Sequence, residues 1–122
     1  MNPKQECKKS INSFRYAIEG FISSFKTERN MKIHILAMFL VVLLGFYFKL
    51  NLVEWCFIAL AISLVIGAEL FNTAIEALVD MVSPEKNPKA KLVKDISAAA
   101  VLALAIGDAV VGVIIFIPKL MI

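Results

Sequence analysis

The sequence predicts an all-α integral membrane protein, built from one N-terminal interfacial helix and three transmembrane helices. Hydrophobic residues make up 60% of the 122 residues, and the mean hydropathy is +0.81. A single domain of this size cannot bury so much apolar surface in its own core, so the surplus indicates contact with lipid. We therefore expect residues 1–122 to form one membrane domain.

The first 31 residues predict an amphipathic helix that lies on the membrane surface. Apolar residues recur at helical spacing on one face, and polar residues occupy the other faces. The apolar positions are Ile11, Phe14, Ile18, Phe21, Ile22 and Phe25. Packing of this face against the transmembrane helices is an equally good interpretation, and both can hold together. The segment lacks the uninterrupted apolar core of a cleavable signal peptide.

Three apolar stretches predict membrane-spanning helices over residues 33–48, 52–81 and 96–117. The first rises only about 24 Å against a hydrocarbon thickness of about 30 Å, so Lys32 and Lys49 are expected to extend to the two interfaces. The third is interrupted only by Asp108.

Basic residues predict the orientation in the membrane. They are concentrated in the N-terminal segment and in the 81–95 loop, whereas the connection between the first two spans has only Lys49 and the C-terminal end only Lys119. The positive-inside rule therefore places the N-terminus and the 81–95 loop in the cytoplasm and the C-terminus outside. Cys7 and Cys56 then lie on opposite sides, so no disulfide is expected within the chain.

A polar stripe interrupts the second span. Glu69, Asn72, Glu76 and Asp80 follow one another at helical spacing, which places them within an arc of about 80° on one helix face. A charge at bilayer depth costs at least about 2.5 kcal/mol on insertion scales, so packing alone does not explain several in a row. Counted from Trp55 at the outer interface, the stripe reaches the cytoplasmic boundary, where we expect a functional site.

Carboxylates beside lysines at a water boundary indicate a magnesium nucleotide. Mg²⁺ prefers oxygen ligands and usually takes one or two protein carboxylates, which Glu28 and Glu76 could supply, together with phosphate oxygens and water. Glu69, the most deeply placed acid, suits a general base that takes a proton from an alcohol. The lysines that could neutralise a polyphosphate are Lys86, Lys91 and Lys94. Because no glycine-rich nucleotide signature is present, these residues alone leave the reaction open.

The same residues resemble the prokaryotic diacylglycerol kinase family of small three-span lipid kinases. The resemblance rests on the pattern E-x-x-N-x-x-x-E-x-x-x-D from Glu69 to Asp80, followed by Lys94-Asp95, and it extends over about residues 8–119. Residues 28–34 and 117–119 are most similar to the undecaprenol kinase branch of Gram-positive bacteria.

The resemblance implies a role for each matched position. Glu69 is expected to accept the proton, Glu28 and Glu76 to bind Mg²⁺, and Asn72 and Asp80 to belong to the same active site. The positions expected to contact the nucleotide are Lys9, Tyr16, Glu28, Glu76, Glu85, Lys86, Asn87, Lys94 and Asp95. Lys9 and Asn12 depart from the family, since the diacylglycerol kinases have arginine and lysine there.

The implied partners are ATP, a lipid alcohol, the bilayer of the bacterial cell membrane and two further copies of the chain, in a homotrimer whose active sites are shared between neighbours. Nucleic acid is not expected as a partner. The predicted reaction is ATP- and Mg-dependent phosphorylation of undecaprenol, with diacylglycerol as the alternative acceptor.

Two other classes of protein remain as alternatives. A small transporter subunit could use Glu69 as a proton or cation site, although such sites tend to lie near the bilayer midplane. A non-catalytic adaptor is also conceivable, but it would not need the buried acids. His34 is expected to be an interfacial side chain rather than a ligand. Asp108 matches no family position, and a hydrogen bond across the trimer, a headgroup contact or a private substitution could each account for it.

Overall fold

The structure is a computed structural model that describes residues 2–121 as four α-helices. They are α1 (Pro3–Thr27), α2 (Arg29–Tyr47), α3 (Leu52–Val82) and α4 (Pro88–Leu120). Of these, α2, α3 and α4 are each long and apolar enough to cross a membrane. The predicted all-α class and the three long apolar helices are therefore confirmed. The placement of α1 on a membrane surface, the homotrimer and the single-domain division stay predictions.

Capping residues determine where α1 and α3 begin. Asn51 accepts a hydrogen bond from the backbone N–H of Glu54 at 2.9 Å, and the Glu54 side chain accepts one in return from the backbone N–H of Asn51 at 3.0 Å. Asn2 and Gln5 form the same reciprocal pair at the start of α1. Each pair satisfies two backbone donors that the first helical turn leaves free.

The connection before α4 is shorter than the sequence predicts. The predicted loop covers residues 81–95, but α3 continues to Val82 and α4 already begins at Pro88. Proline is well tolerated in the first turn of a helix, where its missing N–H would have no helical partner, and Asn87 caps the helix by accepting from the Lys89 N–H at 2.9 Å. Lys94 and Asp95 therefore lie on a helix. At its other end α4 continues past Pro118 to Leu120.

α3 is the central helix, and its largest packing surface is with α4, followed by α2 and then α1. A small apolar core of Leu50, Ile58 and Ile115 lies near the turn between α2 and α3. The ion pair between Glu54 and Lys119, at 3.0 Å, joins α3 to α4 at this end. Most large apolar side chains elsewhere are exposed, as expected for helices that face lipid or other chains.

Candidate active site

The polar stripe on α3 runs from the interior of the protein to its surface. Glu69 is 0% exposed and Asn72 is 5% exposed, whereas Glu76 is half-buried and Asp80 is exposed. At a rise of about 1.5 Å per residue the stripe is about 16 Å long. One helix face therefore offers oxygen atoms in surroundings that change from fully buried to solvated.

The Glu69 carboxylate is buried without a hydrogen-bond partner among residues 2–121. Within residues 2–121 neither of its carboxylate oxygens has a hydrogen-bond partner, and the buried Oδ1 of Asn72 has none either. A potential donor, His34 Nε2, lies 3.3 Å from Glu69 Oε1, but the two atoms do not have the geometry of a hydrogen bond. Since buried polar groups are nearly always paired, three unpaired oxygens on one helix face indicate a site that acts on a ligand.

The structure brings His34 next to Glu69, a contact that the sequence does not predict. α2 begins at Arg29, and residues three positions apart share a helix face. His34 therefore lies on the same side of α2 as Met31, which is fully buried, and its side chain is only 20% exposed. Apolar spacing alone does not show which face of α2 meets α3.

Glu28 and Glu76 lie next to each other, although they come from different parts of the chain. Glu28 occupies the junction between α1 and α2. Its pKa is raised above the usual value for a glutamate, first by burial, then by its hydrogen bond with Glu76 and by the negative charges of Glu76 and Glu69. Two carboxylates this close repel each other when both are ionised, and a divalent cation would remove that repulsion.

The donor set fits Mg²⁺ only if other ligands complete it. Residues 2–121 contain no group of three or more His, Cys, Asp or Glu side chains arranged to hold a metal ion. Mg²⁺ commonly takes one or two protein carboxylates and fills its remaining positions with phosphate oxygens and water. The Glu28 and Glu76 pair is therefore suited to a magnesium ion that arrives with a nucleotide.

A hydrogen bond that the sequence does not predict connects α1 to α3 beside this pair. The hydroxyl groups of Ser24 and Thr73 are 2.8 Å apart, and Ser24 is only 3% exposed. The Thr73 hydroxyl also lies 3.0 Å from the backbone carbonyl of Glu69, and the Glu28 N–H donates to the Ser24 carbonyl at 2.9 Å. This bond holds the end of α1 in place and thereby positions Glu28 against α3. In the sequence, the only indication of this hydrogen bond is a serine and a threonine that lie near predicted site residues.

A charged cleft of about 790 Å³ opens at the end of the stripe, between α3, the loop of residues 83–87 and the start of α4. The Lys94 Nζ donates to Asp80 Oδ1 at 2.6 Å across this cleft. The predicted site residues that line it are Asp80, Glu85, Lys86, Asn87 and Lys94. Solvent-exposed ion pairs contribute at most about 1 kcal/mol, so the lysine can exchange its partner for a polyphosphate at little cost.

Other predicted nucleotide contacts lie outside the cleft. Lys9 and Tyr16 are exposed on α1, and the Tyr16 ring packs under the Arg15 guanidinium group at 5.3 Å from the ring centroid. Asp95 is paired with Lys91 at 2.6 Å. Neither Glu28 nor Glu76 lines the cleft. The cleft of a single chain therefore does not contain the whole predicted set.

A second cavity, of about 400 Å³, lies between α2, α3 and α4. Its walls are apolar except for His34 and Asp108. Because His34 also touches Glu69, this cavity adjoins the buried end of the stripe. The structure thus places Asp108 in the same apolar cavity as His34, the residue that contacts the candidate base.

Comparisons with known proteins agree with the pattern on α3. The model of the family described as prokaryotic diacylglycerol kinase matches residues 15–116. Undecaprenol kinase from Bacillus subtilis (strain 168) is 38% identical over 117 residues, which cover 96% of this chain and 95% of that protein.

Two diacylglycerol kinases are also similar. The protein from Haemophilus influenzae is 31% identical over 107 residues, which cover 87% of this chain and 91% of the relative. The protein from Synechocystis is 37% identical over 110 residues, which cover 89% of this chain and 63% of the relative. The family match includes α2, α3 and most of α4, and with them the stripe and the charged cleft. This chain therefore belongs to the prokaryotic diacylglycerol kinase family, a family of lipid kinases.

Proposed function

We propose that this protein transfers the γ-phosphoryl group of ATP to the hydroxyl group of a membrane lipid, and that undecaprenol is its preferred acceptor. The observation that carries the proposal is Glu69, a completely buried carboxylate whose two oxygens have no hydrogen-bond partner among residues 2–121. A packing role would leave this acid unexplained, because a buried charge without a hydrogen-bond partner destabilises a protein. Membership of a lipid kinase family also argues against a transporter subunit or an adaptor.

In this mechanism Glu69 takes the proton from the lipid hydroxyl group. The O–H bond of the lipid breaks and a new O–H bond forms on Glu69. The lipid oxygen bonds to the γ-phosphorus of ATP while the bond to the β,γ-bridging oxygen breaks, and ADP leaves. The burial of Glu69 keeps water away from the base and so protects the γ-phosphoryl group from hydrolysis. Asn72, one turn along, presents an amide to the same region.

Glu28 and Glu76 would hold Mg²⁺ at the half-buried part of the stripe. When bound, the ion would screen the negative charge of the polyphosphate. The chain's own contribution is to keep the two carboxylates together, which the hydrogen bond between Ser24 and Thr73 supports. Mg²⁺ and ATP dependence are thus parts of the proposal that rest on the chemistry of this pair.

The nucleotide would occupy the charged cleft, with Lys86 and Lys94 facing its phosphates and Asp80 beside them. We include the homotrimer in the proposal because the cleft of one chain leaves several proposed contacts outside it. Those contacts are Lys9, Tyr16, Glu28, Glu76 and Asp95. The excess of lysines in the 83–87 loop and the first turns of α4 supports a cytoplasmic position for this end, with the C-terminus outside the cell.

Two observations support undecaprenol over diacylglycerol as the acceptor. The similarity to Bacillus subtilis undecaprenol kinase extends over 96% of the chain. The cavity lined by His34, which contacts Glu69, is also small and almost entirely apolar, which suits a thin polyprenol chain with one terminal hydroxyl better than two ester-linked chains.

The test is phosphorylation by the purified protein with radiolabelled ATP and either lipid at the same mole fraction in one bilayer composition. We expect a higher kcat/KM for undecaprenol, and Glu69→Gln serves as the inactive control. A higher value for diacylglycerol would refute the acceptor assignment and leave the kinase mechanism. Labelling of neither lipid would refute the mechanism as well.

A further inference from the structure

The cavity between α2, α3 and α4 contains two polar side chains that the proposed mechanism does not use. His34 comes from α2 and Asp108 from α4, and both are partly buried. Alanine, isoleucine, valine, methionine and glycine form the rest of the lining. Burying polar groups in such surroundings costs free energy unless they interact with a partner, so the presence of His34 and Asp108 indicates a role for them.

His34 is suited to support Glu69. Its Nε2 lies 3.3 Å from Glu69 Oε1, and a small side-chain rotation would complete a hydrogen bond without movement of either helix. Within residues 2–121 the Glu69 carboxylate has no other donor within reach. A buried carboxylate that lacks donors is free to take several orientations, whereas a base must hold its oxygen toward the proton that it accepts.

Asp108, on α4, lines the same cavity as His34. Within residues 2–121 the two side chains share this space without a direct hydrogen bond or ion pair between them. A carboxylate near an imidazole ring fixes its orientation and favours the form in which a ring N–H points toward a second acceptor. His34 on α2 therefore contacts Glu69 on α3 and shares a cavity with Asp108 on α4.

We propose that His34 is a positioning residue that holds Glu69 Oε1 toward the acceptor hydroxyl, and that Asp108 orients the His34 imidazole. The inference rests on the proposed function for the role of Glu69 as base. A role in packing alone would require the ring's volume and would not require its nitrogen atoms.

The contact can be measured without turnover, because His34 is the only histidine in the chain. Selective labelling with ¹⁵N-histidine in detergent micelles gives the resonances of this one imidazole. We expect Glu69→Gln and Asp108→Asn each to shift them. Glu54→Gln is the matched control, since it makes the same acid-to-amide change on α3 at the end paired with Lys119, and it should leave them unchanged. Unchanged resonances in Glu69→Gln or in Asp108→Asn would overturn the proposal.

Activity then separates positioning from packing. His34→Leu keeps an apolar side chain of similar size, and we expect kcat to fall by about 10- to 100-fold, the effect of losing a hydrogen bond to a buried charge. The KM for MgATP should stay unchanged, because the nucleotide cleft does not include His34. His34→Gln, which restores an N–H donor, should recover part of the loss.

Equal kcat values for the wild type and His34→Leu, or equal losses in His34→Leu and His34→Gln, would overturn the positioning role. Failure of the wild type to phosphorylate either lipid would overturn the proposed function instead, since the ¹⁵N measurement reports the Glu69 contact independently of turnover.

Discussion

Replacement of Glu69 by glutamine removes the proposed base while keeping the size of the side chain. General bases typically contribute about 10² to 10⁴ in rate, so we expect kcat to fall by at least about 100-fold. At about 1.4 kcal/mol for each factor of ten, this loss corresponds to at least about 2.7 kcal/mol of transition-state stabilisation. Nucleotide binding should persist, because Glu69 does not line the charged cleft.

The burial of Glu69 also predicts how Glu69→Gln affects the stability of the protein. The carboxylate is 0% exposed and unpaired by hydrogen bonds among the described residues. A neutral amide costs less to bury than an ionised carboxylate, so Glu69→Gln should unfold at the same or a higher temperature than the wild type. Loss of activity with retained stability would distinguish a functional acid from a structural one.

The assay is transfer of labelled phosphate to lipid, combined with thermal unfolding of the same preparations followed by circular dichroism. Glu54→Gln is the matched control, because Glu54 is paired with Lys119 at the opposite end of α3. This control should lose a little stability, because it weakens a partly exposed ion pair, and keep its activity. Near-normal turnover in Glu69→Gln, or a large decrease in its unfolding temperature, would refute the reasoning.

Three further predictions concern the pair of Glu28 and Glu76. Glu28→Gln and Glu76→Gln should each raise the magnesium concentration for half-maximal activity, and an unchanged titration in both would contradict shared ligation. Ser24→Ala and Thr73→Val should also raise the magnesium concentration for half-maximal activity. Each should lower the free energy of unfolding by about 0.5 to 1.5 kcal/mol, since each removes one interhelical hydrogen bond. Ser63→Ala, which loses only a local bond to Leu60, is the control and should change neither quantity. In magnesium-free buffer, the raised pKa of Glu28 means that its ionisation destabilises the folded protein. The free energy of unfolding should therefore increase as the pH falls through that pKa. Glu28→Gln should weaken this pH dependence.

Several features of the protein follow from local properties of the sequence. Hydropathy predicted three long apolar helices, and the spacing of Glu69, Asn72, Glu76 and Asp80 predicted one polar face on α3. Such predictions succeed because hydropathy and helical periodicity are properties of neighbouring residues in the sequence. The family resemblance, also carried by this local pattern, is confirmed.

Contacts between helices were decided only by the tertiary structure. The pairing of Ser24 with Thr73, the approach of His34 to Glu69 and the cavity that contains Asp108 depend on how each helix is rotated about its axis and where it crosses its neighbours. Nearly every face of α2 and α4 is apolar, so the sequence pattern does not show which face packs inward. The start of α4 at Pro88 was missed for a related reason, because a proline next to charged residues suits both a loop and a first helical turn. The chemical groups of the candidate site were therefore predictable from the sequence, while their partners required the packing of the helices.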